Sequence, residues 1–197
     1  MRVLILLGWL MVPVLVGAYH YGPGQERLRL DEVASVLRQA DRHAADKEWD
    51  AAVEKYEEAL RLLPAGKVAE GRRIRLEKAK AQMLARKLPE AHKDLKALLE
   101  ELKDDATADT RLVAETREAL ANSQYYMTWL MRLEGLSQAT WEPEIEAARQ
   151  HYRLLAEQAE AQGDAAAARK HHEDLESAVR LARLDLGELQ GLPLPSQ

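Results

Sequence analysis

The spacing of apolar residues constrains this chain more than any other feature of its sequence. From Asp31 onward these residues recur every three or four positions, which is the period of an amphipathic helix and not of a strand. Phe is absent and aromatic residues make up 5% of the chain, so a core must consist mainly of Leu, Ala and Val. Such a core favours closely packed helices over sheets, which are rich in β-branched and aromatic residues. The sequence therefore predicts an all-α fold.

The clearest unit of this pattern is a pair of helices between Asp31 and Pro64. Two apolar stripes, one on each side of residues 46–48, have helical spacing. The polar sequence Asp-Lys-Glu at 46–48 predicts a tight turn. Pro64 and Gly66 predict the end of the second helix, because proline lacks a backbone donor and glycine releases the backbone. Two helices joined by so short a turn are expected to pack antiparallel.

This 34-residue unit resembles the tetratricopeptide repeat (TPR), a helical hairpin with small residues at the helix crossing and a terminal proline. The small residues that match the family pattern are Ala40, Ala52 and Ala59. Tyr56 matches its aromatic position, whereas Val36 and His43 replace a tryptophan and a tyrosine that are usual in the family. Independently of the name, alanines allow two helices to approach closely, and Tyr56 can fill the gap between them.

The resemblance extends weakly along the rest of the chain. It implies a right-handed superhelix of antiparallel hairpins, with about seven helices. Residues 31–187 form the predicted TPR-like domain, preceded by a linker at 22–30 and followed by a tail at 188–197. The predicted elements inside the domain are repeats at about 31–64, 72–104 and 149–182 and an irregular long helix at about 108–133.

An apolar run without charges, Val3 to Tyr19, lies near the N-terminus. Its seventeen residues would span about 25 Å as a helix, at the short limit for crossing a membrane. Residues 1–21 are therefore predicted to be a transmembrane anchor with the body facing a periplasm or the exterior. A cleavable signal peptide is the alternative, because Val16-Gly17-Ala18 offers small residues for cleavage and would give a secreted or periplasmic protein.

The composition argues against several classes of function. The 33 acidic and 28 basic residues are interspersed, so no basic stripe is present to bind nucleic acid. The chain has no cysteine, no His-x-x-x-His pair and no glycine-rich phosphate loop. We therefore expect no metal, no cofactor and no enzymatic activity, and other proteins are the expected partners.

The first helix of each TPR hairpin lines a concave groove, and the resemblance implies which side chains would face it here. These residues are Leu37, Asp41, Arg73, Leu76, Lys80, Arg153 and Glu157. The TPR domains that grip chaperone C-termini carry lysine and asparagine where this chain has Leu37 and Asp41, so that carboxylate clamp is not expected. A helix or an extended segment of a neighbouring protein fits this mixed surface better.

A second candidate site is a cluster of aromatic residues in the irregular region. It consists of Tyr125, Tyr126, Trp129 and Trp141. These side chains either fill the core or anchor a partner, since Tyr and Trp dominate binding hot spots. The sequence thus predicts a non-catalytic adaptor or scaffold held at the membrane of a bacterial-type envelope, and the alternative is a permanent structural subunit of a larger membrane complex.

Overall fold

The computed structural model describes residues 9, 11–12 and 23–189. Between Pro23 and Leu189 the chain forms eight α-helices, and no strand occurs in this described part, which confirms the predicted all-α class. The helices are α1 (Pro23–Ala45), α2 (Trp49–Leu62), α3 (Val68–Leu84), α4 (Leu88–Lys103), α5 (Thr110–Leu133), α6 (Gln138–Ala161), α7 (Ala165–Arg183) and α8 (Leu186–Leu189).

The chain divides into two compact units, and the boundary in the sequence lies between Ile74 and Arg75, within α3. In the first unit α1 packs against α2. Three small residues with no exposed surface lie on these two helices, namely Ala40, Ala52 and Ala59. The Tyr56 hydroxyl donates a hydrogen bond to Asp41 Oδ1 at 2.9 Å, and this bond ties α2 to α1.

In the second unit α4 packs against α5, α5 against α6, and α6 against α7. One core cluster joins the second half of α3 to α4 and to the first half of α5. Its buried members are Leu76, Ala79, Leu95, Leu98, Leu99, Leu102, Leu112, Ala119 and Leu120. A second cluster joins the rest of α5 to α6, α7 and α8, and its largest side chains are Tyr125, Trp141, Ile145, Tyr152, Leu155, Leu181 and Leu189.

Several helices start or end away from their predicted positions. The predicted linker at 22–30 is helical from Pro23, because proline suits the first turn of a helix, where its missing donor is not needed. The helix α6 is continuous from Gln138 to Ala161, so the predicted repeat at 149–182 begins in the middle of a helix. After α7 ends at Arg183, the short helix α8 follows within the predicted domain and the start of the predicted tail.

The predicted anchor or signal segment at 1–21 lies outside the described residues, apart from Trp9, Met11 and Val12. Among the helices that are described, none combines the length and the apolar character that crossing a membrane requires. Of the predicted tail, residues 190–197 also lie outside the description.

Candidate functional site

A concave site of the second unit, a well, lies between α3 and α5. Its volume is about 310 Å³. The residues around it are Lys80, Met83, Leu84, Glu115, Glu118, Ala119, Asn122 and Tyr126. The core cluster beneath positions the two walls, since Ala79 on α3 and Ala119 and Leu120 on α5 belong to one packed group. The well is therefore held on rigid helices and not on loops.

The well combines apolar walls with a charged rim whose members are already paired. Lys80 Nζ lies 2.9 Å from Glu77 Oε1, and Glu115 accepts from Arg111 Nε at 2.8 Å. Glu118 pairs with Lys170 of α7. Charged side chains of both signs thus lie beside apolar ones in the lining, a mixture that is common at protein-binding surfaces.

A smaller well lies in the first unit, between α1 and the start of α3. Its volume is about 290 Å³. The residues around it are Leu30, Val33, Ala34, Leu37, Leu63, Glu70, Arg73 and Ile74. Four of the eight lining residues are apolar side chains of α1, and Glu70 and Arg73 supply the charges.

The predicted groove residues have different surroundings. Leu37 and Arg73 line the well of the first unit, and Lys80 lines the well of the second. Asp41 is exposed and accepts the hydrogen bond from Tyr56. Leu76 has no exposed surface, because it packs in the core formed with α4 and α5, so it is not available to a partner.

The remaining two groove residues, Arg153 and Glu157, are exposed on α6 and line neither well. Their assignment depended on a hairpin that would start near residue 149. The structure has one uninterrupted helix there instead, from Gln138 to Ala161.

The four aromatic residues lie around the second core cluster. Tyr125 is 2% exposed and Trp141 is 8% exposed, so both belong to the core. Tyr126 packs edge-on against Tyr125, with ring centroids 5.8 Å apart, and it also lines the well. Trp129 is half-buried, and its Nε1 is buried without an acceptor. Tyr126 is thus the member of the cluster that lines the second unit's well.

A polar group that the sequence did not predict lies between α4, α5 and α6. His92 Nδ1 lies 3.2 Å from Ser123 Oγ, and His92 Nε2 lies 3.6 Å from Glu144 Oε2. Gln124 Nε2 donates to the same Glu144 oxygen at 3.3 Å. Burial lowers the pKa of His92, the charge of Glu144 opposes that change, and Lys96 adds to it. No local motif predicts this group, because the residues come from three helices.

The Ser-His-Glu order resembles that of a hydrolase triad, but its geometry does not suit nucleophilic attack. Ser123 has no exposed surface, and its hydroxyl donates to Leu120 O at 2.7 Å. A nucleophile needs both an accessible oxygen and a base that takes its proton. The contacts of the group connect α4, α5 and α6. Among the described residues, no three acidic or histidine side chains are placed to hold a metal ion.

A scan of protein-family models and a search of curated proteins both found no match to this chain.

Proposed function

We propose that this chain is a non-catalytic protein-binding domain of the TPR type, held at a membrane by its N-terminal segment. The observation that carries the proposal is the well between α3 and α5. Its lining combines apolar side chains, charged side chains of both signs and the half-buried Tyr126. Such a surface suits the side chain of another protein, because apolar contacts supply affinity and the rim supplies orientation.

The size of the well also favours a protein ligand. A volume of about 310 Å³ is at the lower limit of the roughly 300–1,000 Å³ that small-molecule sites enclose. It accommodates one or two bulky side chains of a docked helix or extended segment. The right-handed superhelix of hairpins belongs to the same proposal, supported by the alanine-rich crossing of α1 and α2.

The apolar run from Val3 to Tyr19 supports the membrane part of the proposal. A tether restricts the domain to a thin layer above the membrane, which raises the effective concentration of any partner there. A single apolar well with paired rim charges gives modest affinity, and tethering makes modest affinity sufficient.

The test places a charge in the well and follows partner capture. Leu84 is half-buried at the edge of the well, whereas Leu154 is 47% exposed on α6 and lies outside it. A photocrosslinker at Lys80 of the full chain in native membranes should yield a discrete adduct, and Leu84→Lys should abolish it. The matched control, Leu154→Lys, should keep the adduct, and both variants should melt within a few degrees of the wild type.

Two results would contradict or redirect this proposal. Absence of an adduct at Lys80, or an adduct that survives Leu84→Lys in a folded variant, would contradict binding at the well. A partner that stays in stoichiometric complex through purification in mild detergent would instead indicate the alternative, a permanent structural subunit.

A further inference from the structure

The polar group at His92 fixes how α4, α5 and α6 are aligned. His92 is linked to Ser123 on α5 and to Glu144 on α6. Arg117 lies six residues before Ser123, and His151 lies seven residues after Glu144. The helix α5 runs antiparallel to α4 and α6. Arg117 and His151 therefore lie side by side, about 10 Å along the helix axes from the His92 group at 1.5 Å per residue.

The surroundings of Arg117 and His151 carry an excess of positive charge. Arg117 and His151 are both half-buried, and Arg117 Nε and His151 Nδ1 are buried without hydrogen-bond partners. Burial lowers the pKa of Arg117, and no neighbouring charge of the described residues offsets that effect. The acidic residue near His151 is Glu100. Its Oε1 lies 2.8 Å from Lys103 Nζ, so its charge is already balanced by that lysine.

His151 responds to the same surroundings. Burial, followed by the charges of Arg117 and Lys103, lowers its pKa to about 4, and the charge of Glu100 opposes this change. At neutral pH the imidazole is therefore uncharged. Since Lys103 and Glu100 balance each other, Arg117 supplies one excess positive charge. A half-buried guanidinium without a carboxylate is costly, because its desolvation is not repaid by an ion pair.

We propose that Arg117, with His151 and Lys103 beside it, is a binding site for a carboxylate of a partner protein. The charge of one carboxylate balances the single excess charge of the site. The two terminal nitrogens of the planar guanidinium offer paired donors that match the two oxygens of a carboxylate, whereas Lys103 is already paired with Glu100. This site is separate from the well between α3 and α5 and does not depend on the function proposed for it.

The test uses acetate as the probe on the full chain in detergent at pH 7, where acetate is ionised. We expect the Arg117 Nε–H resonance to shift saturably with acetate, and the melting temperature to rise, with sodium chloride of equal ionic strength as reference. Arg117→Gln should lose the rise in melting temperature. Arg111→Gln should keep it, because the Arg111 side chain is 81% exposed and pairs with Glu115.

The wild-type titration decides the proposal even if Arg117→Gln does not fold. A shift that is linear with acetate, or equal in chloride, would show screening only and would overturn the site. A much tighter response to phosphate than to acetate would overturn the assignment of a carboxylate. Saturation by acetate at Arg117, without a response of the residues around the α3–α5 well, would support it.

Discussion

At the scale of single residues, Arg132 links distant parts of the second unit. Its guanidinium donates to Leu181 O and Leu184 O, the carbonyls at the end of α7. The same group lies 4.8 Å from the centre of the Trp141 ring on α6. A cation at a helix C-terminus satisfies carbonyls that lack partners in the helix and interacts favourably with the helix dipole. One side chain thus connects three helices.

Replacing Arg132 by Met should destabilise the protein by about 2 kcal/mol, because two charge-assisted hydrogen bonds and a cation–π contact disappear. Urea unfolding followed by circular dichroism measures this. Arg111→Met is the control on the same helix, since its single exposed ion pair is worth about 0.5 kcal/mol or less. An equal decrease in the free energy of unfolding in the two variants would contradict a stabilising role of the three contacts of Arg132.

At the scale of the element, the α1–α2 hairpin is where sequence and structure agree best. The turn lies at residues 46–48, as Asp-Lys-Glu predicted, and Lys47 closes it with a φ of 60°. The start of α1 was not predictable from the same cues. Pro23-Gly24 is typical of a turn, yet Pro23 occupies the first turn of the helix. Local signals locate turns between strong periodic segments better than they locate a helix end that no packing constrains.

Ala59→Leu should destabilise the protein by about 1–3 kcal/mol, because Ala59 has no exposed surface and a longer side chain would force α1 and α2 apart. Ala69→Leu, at an exposed position of α3, should change stability by less than about 0.5 kcal/mol. Thermal melting of both variants provides the measurement. A well-tolerated Ala59→Leu would mean that the crossing is looser than described.

At the scale of the whole molecule, two half-buried histidines connect stability to pH. Burial lowers the pKa of His92 and lowers that of His151 to about 4. The unfolded chain binds protons at these histidines near pH 6.5, before the folded chain does. Protonation of these histidines therefore favours the unfolded chain. The free energy of unfolding is unaffected by them above pH 6.5 and decreases as the pH falls toward 4.

The melting temperature should accordingly fall between pH 6.5 and pH 4.5, which is above the range where most carboxylates titrate. His151→Gln should flatten this part of the curve, because glutamine does not titrate. A wild-type melting temperature that is constant over this interval would contradict the expected linkage.

The all-helical class followed from periodicity, but the arrangement of the sites did not. The contact between His92, Ser123 and Glu144 requires three helices to be aligned to within a residue. Leu76 shows the same limit, since a position counted along one hairpin cannot reveal that α4 and α5 cover it. Side chains that meet across several helices depend on packing that no local pattern specifies.

The contacts of Arg132 also constrain the order in which parts of the protein can fold during synthesis. Arg132 and its acceptor Leu181 are 49 residues apart, so the end of α5 leaves the ribosome well before α7 exists. During that interval Trp141 is the only one of these partners within reach, and the carbonyls that complete the arrangement arrive later. The end of α5 therefore reaches its native contacts only after α7 has been synthesised. A chain whose translation stops between the two helices would lack the hydrogen bonds from Arg132 to Leu181 and Leu184.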